Sequence, residues 1–221
     1  MLREEKVVTK DKMPRPGNKS KAFVESTTGP LHAYLAVLQC LDSDFLMAEG
    51  FKESADMIVS NIKEGKSIAH PEKYFLPIAY LYRHGIELTL KCIIKFGIEL
   101  KVFKKIGTLK KLLGKHALSP LWDKAKQVLL DLCSENALNG IENVERLIKE
   151  FHDIDPSGQN LRYAKDKHGN STLEKMPKSV CLGQLKTACT ELFSFFDKCD
   201  AELSAAIDAQ NAICGKQDLC L

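Results

Sequence analysis

The chain has 221 residues, 44% of them hydrophobic, and its 32 basic and 29 acidic residues leave a formal net charge of +3. This length and apolar content suffice for a substantial hydrophobic core. The nearly balanced charge argues against nucleic-acid binding through bulk electrostatics, so any such activity would need a local site.

The eight cysteines are scattered and form no CxxC pair. This scatter favours a reduced, cytoplasmic chain without disulfides. The six histidines lie far from any close Cys or His pair, so we expect no structural metal, and we expect no cofactor. The amino terminus lacks the apolar segment of a signal peptide, and no run of about 18 apolar residues predicts a membrane span. We therefore expect no membrane association.

The composition along the chain predicts three parts of different character. Residues 1–27 are rich in Lys, Pro, Gly and Ser and predict a disordered basic arm, either a solvated tail or a contact for phosphates. Residues 28–214 predict a single helical bundle, and 215–221 a flexible tail. Within the bundle, apolar spacing from Pro30 to about Gly65 predicts a first long helix or a helix pair that breaks near Gly50.

A second helix is predicted from about residue 75 to 96, with Pro77 in its first turn and Gly97 as its stop. It is apolar over most of its circumference, which is typical of a central helix. Two interpretations of its polar arc stay open: solvated ion pairs, or partly buried charges held by Arg162 or Asp166 in a second shell or nucleotide pocket. The arc contains Tyr80, Arg83, His84, Glu87, Lys91 and Lys95.

The middle of the chain predicts two further helices. A connector with Gly107 and Gly114 leads to His116, which either anchors the connector by a hydrogen bond or takes part in catalysis. Ser119 is a candidate cap for a helix that runs to about Cys133. Another amphipathic segment runs from Asn136 to about residue 151.

A long polar loop, 152–178, precedes the last predicted helix. It contains a candidate small hairpin that pairs residues 161–163 with 171–173. From 179 to 214, apolar residues at three- and four-residue steps form a seam that closes either the bundle or a dimer. The predicted fold class is all-α, a four- to five-helix up-and-down bundle.

Arg162 and His168 are separated by five residues within this loop. An arginine can hold a phosphate bidentately, and a histidine can take the proton of a ribose 2′-hydroxyl, which together suffice for metal-free RNA cleavage. The alternative is structural, with loop charges pairing with Asp153, Asp155 or Asp166. Both interpretations stay open on spacing alone.

Three segments together resemble the HEPN-like superfamily, the higher eukaryote and prokaryote nucleotide-binding helical domains. The resemblance covers about residues 40 to 205 and is carried by Tyr80–Lys91, Gly114–Leu118 with Leu121-Trp122, and Leu161–Asn170. It implies a bundle of four or five helices, often dimeric, whose members are metal-independent ribonucleases, nucleotide binders or partners of a nucleotidyltransferase. Many such proteins serve toxin–antitoxin or phage-defence systems.

The nuclease signature of that superfamily is an arginine, four to six residues and a histidine, doubled across a dimer cleft. Arg162 and His168 match its spacing but lie in a turn-rich loop. Where relatives often have Phe-Arg-Tyr-Pro, this chain has Leu161-Arg162-Tyr163-Ala164, so the resemblance implies an architectural role for Arg162 and Tyr163 as well.

Two functions follow as expectations. The first is cleavage of RNA, or binding of RNA or a nucleotide, by Arg162 and His168, with the polar arc, Tyr163, Asp166 and His116 around them. The second is a non-catalytic helical module that forms a homodimer or holds an antitoxin or nucleotidyltransferase partner through the seam of the last helix.

Overall fold

The computed structural model of the chain describes residues 43–63 and 70–217, all within one compact unit. The predicted arm (1–27) and the predicted helix start at Pro30 lie outside the described residues, as do the last four residues of the predicted tail. The first three residues of that tail, 215–217, belong instead to the last helix.

The all-α prediction is confirmed. The described residues form five longer helices and one seven-residue helix, joined by irregular segments, and contain no named strand. The helices are α1 (Ser43–Lys63), α2 (Glu72–Glu99), α3 (Gly107–Leu113), α4 (Leu118–Leu132), α5 (Ile141–Ile154) and α6 (Leu182–Gln217). Helix α1 continues through Gly50 without the break that the sequence predicts.

Helix α2 lies at the centre and packs against α1, α4 and α6. Pro71 occupies its N-cap, so Pro77 lies in the second turn and not in the first. Gly97 does not stop the helix, which continues to Glu99. Its role is close packing, because a Cβ at position 97 would lie 2.3 Å from Cγ2 of Val128 on α4.

Contacts along α2 set the directions of its neighbours. Helix α1 is antiparallel to α2, since Asp44 pairs with Lys95 near one end and Phe51 packs on His84 further along. Helix α4 is parallel to α2, because the connector that contains α3 returns the chain to the middle of α2 before α4 begins. His116 therefore meets Glu87, ten residues before the level at which Val128 meets Gly97.

The apolar seam of α6 is buried inside this chain. Cys189, Leu192, Phe196, Cys199 and Leu203 are each 1% exposed or less and belong to the single core cluster. Between the two interpretations of the seam, its described part closes the bundle.

The long loop is irregular, as predicted, but it runs from residue 155 to 181, because residues 152–154 belong to α5 and α6 begins only at Leu182. Its predicted hairpin reduces to one isolated antiparallel bridge, between Lys165 and Ser171. Longer pairing is absent from this described loop because Asp166 and Gly169 close a tight turn and most side chains around it are exposed. Across the described helices, none combines the length and apolarity that a membrane crossing requires.

Candidate functional site

The polar arc of α2 divides into two clusters with different surroundings. We call the first the Arg83 cluster; its members are Arg83, Glu87, Lys91, His116 and Asp155. We call the second the Tyr80 stack; its members are Arg162, Tyr80, His84 and Phe51.

The Arg83 guanidinium is 1% exposed, and each of its nitrogens has a protein acceptor nearby. Nη1 donates to Oε2 of Glu87 at 2.9 Å, one turn along the helix. Nη2 donates to the carbonyl oxygens of His116 at 2.6 Å and Asp155 at 3.2 Å. The side chain thus joins α2 to the start of α4 and the end of α5.

Asp155 ends α5 and is fully buried. Its Oδ2 lies 3.1 Å from Nε of Arg83 as an ion pair, although it is not in hydrogen-bonding geometry. Its Oδ1 accepts the backbone N–H groups of Gln159 at 2.8 Å and Asn160 at 3.0 Å, which folds the following loop back over the guanidinium. Gly158 makes this possible with φ +77°, because a Cβ there would lie 3.0 Å from His116 Cβ and 3.3 Å from Arg83 Nη1.

Glu87 is 1% exposed and its carboxylate is fully engaged. Oε1 accepts Lys91 Nζ at 2.7 Å and contacts His116 Nδ1 at 2.8 Å, while Oε2 faces Arg83. Burial by itself raises the pKa of Glu87, but the hydrogen bonds from Lys91, His116 and Arg83 outweigh it and hold the pKa below its ordinary value. The carboxylate therefore stays ionised in the folded protein.

This arrangement differs from the predicted one. Of the two interpretations of the polar arc, Arg83 and Glu87 fit buried charges and not solvated ion pairs. Their partners, however, are Asp155 and His116 and not Arg162 or Asp166. The reason is local: Asp166 is exposed, and its carboxylate accepts the backbone N–H groups of His168 and Asn170 within its own turn. Two cations and two carboxylates balance in the Arg83 cluster, so its geometry favours a structural role over ligand binding.

The Tyr80 stack lies beside this cluster and is more accessible. The guanidinium carbon of Arg162 is 5.1 Å from the centroid of the Tyr80 ring, within cation–π range. The rings of Tyr80 and His84 stack at 5.6 Å with 8° between their planes. Phe51 of α1 meets His84 edge-on at 4.5 Å. An arginine from the long loop is thus seated on a column of partly buried aromatic rings between α1 and α2.

Within the described part of the chain, the His84 imidazole of this column has an unpartnered nitrogen and a lowered pKa. Its Nδ1 is buried and has no hydrogen-bond partner among the described residues. Burial lowers the pKa of His84, and the positive charges of Arg162, Lys91 and Arg83 lower it further against the opposing effect of Glu87. A neutral imidazole is therefore favoured at neutral pH.

The rest of the long loop is open to solvent. Arg162, Tyr163, Asp166 and His168 are all exposed, with Tyr163 at 61%. The structure brings Arg162 to Tyr80 and His84, while His168 lies on the turn that Asp166 closes. The imidazole of the Tyr80 stack is that of His84, which the spacing of the loop residues does not indicate.

Sequence reasoning missed the roles of Asp155, Gly158 and Phe51. Asp155 and Gly158 were recognisable as turn residues, but their contact with Arg83 joins segments 72 residues apart and leaves no local pattern. Phe51 fits the apolar face of α1 and is not distinguishable there from an ordinary core residue.

Within the described ranges, no group of three or more His, Cys, Asp or Glu side chains is placed to hold a metal ion. Comparison of the chain with protein-family models, curated proteins and solved structures found no significant match.

Proposed function

We propose that this protein is a HEPN-like RNA-binding protein that contacts single-stranded RNA through the long loop and the Tyr80 stack. The observation that carries the proposal is the seating of the exposed Arg162 on Tyr80. A guanidinium supported on one face by an aromatic ring is preorganised to bind a phosphate or a base, because little side-chain entropy remains to be lost.

The charge of the loop supports the same proposal. Between residues 162 and 178 there are five Lys or Arg residues and two acidic residues, all exposed. The carboxylate of one of the two acids, Asp166, already accepts two backbone N–H groups of its own turn. A locally basic surface is therefore present on a chain whose overall charge is nearly balanced, which suits a local contact with a polyanion.

Tyr163 adds an aromatic surface next to the basic groups. It follows Arg162 directly and is 61% exposed. Single-stranded RNA is recognised by aromatic side chains on which unpaired bases stack, together with cations that follow the backbone. The neighbouring residues Arg162 and Tyr163 therefore provide a cation for the backbone and an aromatic surface for a base at one point of the loop.

Cleavage is the more demanding form of this proposal. It requires Arg162 and His168 to meet at one phosphodiester, with His168 accepting the 2′-hydroxyl proton and Arg162 stabilising the charge on phosphorus-bound oxygen. On one chain both side chains are exposed on the loop, so a homodimer that pairs two loops would be the cleavage-competent form. A toxin–antitoxin or defence setting in the cytoplasm, with an antitoxin or nucleotidyltransferase partner, is the context in which such a protein would act.

A non-catalytic module that holds a partner through the α6 seam is the second function raised by the sequence. The central part of that seam, from Cys189 to Leu203, is buried in the bundle and is therefore not available to a partner. We therefore favour RNA binding.

The test uses the full chain and a fluorescently labelled single-stranded RNA in the presence of EDTA. Anisotropy should report binding that Tyr163→Ala weakens several-fold and that Tyr74→Ala, at another exposed tyrosine on α2, leaves unchanged. Gel analysis of the same mixtures reports cleavage, which His168→Ala should abolish if it occurs. Absence of binding by the wild-type protein, or equal losses in both tyrosine variants, would contradict the proposed site.

A further inference from the structure

Two cysteines that the proposed RNA site does not use are in contact at the junction of α4 and α6. Cys133 follows the last residue of α4 and is partly exposed, while Cys199 lies in the middle of α6 and is fully buried. Sγ of Cys133 is 3.9 Å from the carbonyl oxygen of Cys199, and Sγ of Cys199 is 4.0 Å from the carbonyl oxygen of Ala137. The two residues are 66 positions apart in sequence.

A neighbouring contact fixes the two helices in register at this point. Glu202, one turn after Cys199, accepts hydrogen bonds from the backbone N–H and the hydroxyl of Ser134, both at 2.7 Å. Ser134 in turn directly follows Cys133. This double hydrogen bond holds the end of α4 against α6 next to Cys133 and within one turn of Cys199.

We propose that Cys133 and Cys199 are a redox-sensitive dithiol that a hydroperoxide converts into a reversible disulfide between α4 and α6. The inference is independent of the proposed RNA-binding function. It concerns a site of covalent modification at the other end of α4 from His116.

The electrostatics of the pair assign the roles. The interaction between the two side chains lowers the pKa of the Cys133 thiol against the opposing effect of burial. The same interaction, together with burial, raises the pKa of the Cys199 thiol. Cys133 is therefore the thiolate that attacks, since it is both the more acidic and the more accessible sulfur, and Cys199 is the resolving thiol.

The reaction proceeds in two balanced steps. The Cys133 thiolate attacks one peroxide oxygen and the O–O bond breaks; the sulfur keeps that oxygen as a sulfenic acid, and the other oxygen leaves as water or an alcohol after taking a proton. The Cys199 sulfur then attacks the Cys133 sulfur, the S–S bond forms, the S–O bond breaks, and water leaves with the Cys199 proton. The dithiol loses two electrons and the hydroperoxide gains them.

The experiment treats the reduced full-length protein with hydrogen peroxide, alkylates the remaining thiols, and maps the cysteines by peptide mass spectrometry. We expect a linked peptide containing Cys133 and Cys199 that dithiothreitol removes, while Cys181 and Cys189 remain alkylated. Cys181 is the exposed control and Cys189 the buried one on the same helix. Cys133→Ser should abolish the linked peptide, whereas Cys189→Ser should retain it.

A second readout is the midpoint of thermal unfolding, compared before and after peroxide. The midpoint should rise for the wild type, because a disulfide between distant positions restricts the unfolded chain, and should not rise for Cys133→Ser. The proposal is overturned if Cys133 is oxidised or alkylated while Cys199 keeps its thiol. It is equally overturned if the linked peptides join other cysteines, or if Cys133→Ser shows the same rise.

Discussion

Arg83 on α2 and Asp155 at the end of α5 form a buried ion pair, with 3.1 Å between Nε and Oδ2, across 72 residues of sequence. Both side chains are at most 2% exposed. Asp155 simultaneously caps the backbone that begins the long loop. The loop that carries Arg162 is therefore anchored to the central helix through this pair.

Replacing Arg83 with Met should destabilise the protein strongly. The change leaves the carboxylates of Glu87 and Asp155 buried without their shared cation, a loss of about 3–5 kcal/mol in the free energy of unfolding. Urea denaturation followed by circular dichroism measures it. The control is Arg146→Met, which removes an exposed arginine paired with Glu150 at 3.7 Å and should change the same free energy by less than about 0.5 kcal/mol. Similar effects of the two substitutions would rule out the anchoring role.

Gly158→Ala should disturb the loop more than Gly169→Ala. Both glycines have positive φ, +77° and +83°, so each alanine carries a backbone cost of roughly 1 kcal/mol. Only at Gly158 would the new Cβ also press on His116 and the Arg83 guanidinium, since nothing lies within 4 Å of a Cβ at Gly169. The difference between the two unfolding free energies isolates the contact with the Arg83 cluster, and a difference of zero would contradict it.

Gly97→Ala and Gly50→Ala should act in opposite directions. At Gly97 the added methyl group would meet Val128 of α4, and such overpacking costs typically about 1–3 kcal/mol. At Gly50, within α1, the methyl group meets nothing within 4 Å, so the higher helix propensity of alanine should stabilise the protein by about 0.5–1 kcal/mol. Thermal unfolding of the two variants checks the sign of each effect. Destabilisation by Gly50→Ala as well as by Gly97→Ala would contradict the expected gain from helix propensity at Gly50.

Stability should fall with acid partly through His84. Its pKa in the folded chain is lowered from about 6.5, so the unfolded chain binds the proton first as the pH falls, and the free energy of unfolding decreases below that value. His84→Phe removes this titration while keeping a ring between Tyr80 and Phe51. The decline between about pH 7 and about pH 5 should therefore be shallower in this variant than in the wild type.

The control for His84 is His70→Phe, at an exposed histidine that contacts Glu72. In this variant the free energy of unfolding should still decline with falling pH through the titration of His84. If the free energy of unfolding falls equally with pH in the wild type and in His84→Phe, the burial of His84 does not lower its pKa.

The sequence predicts those features that depend on local periodicity. The apolar repeat of the last segment correctly marks a buried face of α6, as the nearly complete burial of Phe196 and Cys199 shows. It does not say whether the covering surface belongs to the same chain or to a second one, because either satisfies the same pattern. The central position of α2 likewise follows from its apolar circumference.

The candidate site is less predictable because it depends on contacts between distant segments. The sequence raises contact of Arg162 with the polar arc only as one of two alternatives, and it does not single out Tyr80 as the partner of Arg162 or Asp155 as the partner of Arg83. The parallel course of α2 and α4 returns His116 to the level of Glu87. The Arg83 cluster is completed there by Asp155, at the end of α5. Such returns are set by tertiary packing and leave no periodic signal.

The central claim is that Arg162, held on Tyr80, binds RNA, and the most direct measurement is anisotropy of one labelled single-stranded RNA with three arginine variants. Arg162→Ala should weaken binding about tenfold, or ~1.4 kcal/mol, and Arg162→Lys should recover only part of this loss because lysine keeps the charge without the planar donor fork. Arg146→Ala, which removes an equal charge from the exposed face of α5, should leave the affinity nearly unchanged. Equal losses for Arg162→Ala and Arg146→Ala, or full recovery by Arg162→Lys, would contradict a specific site on the Tyr80 stack.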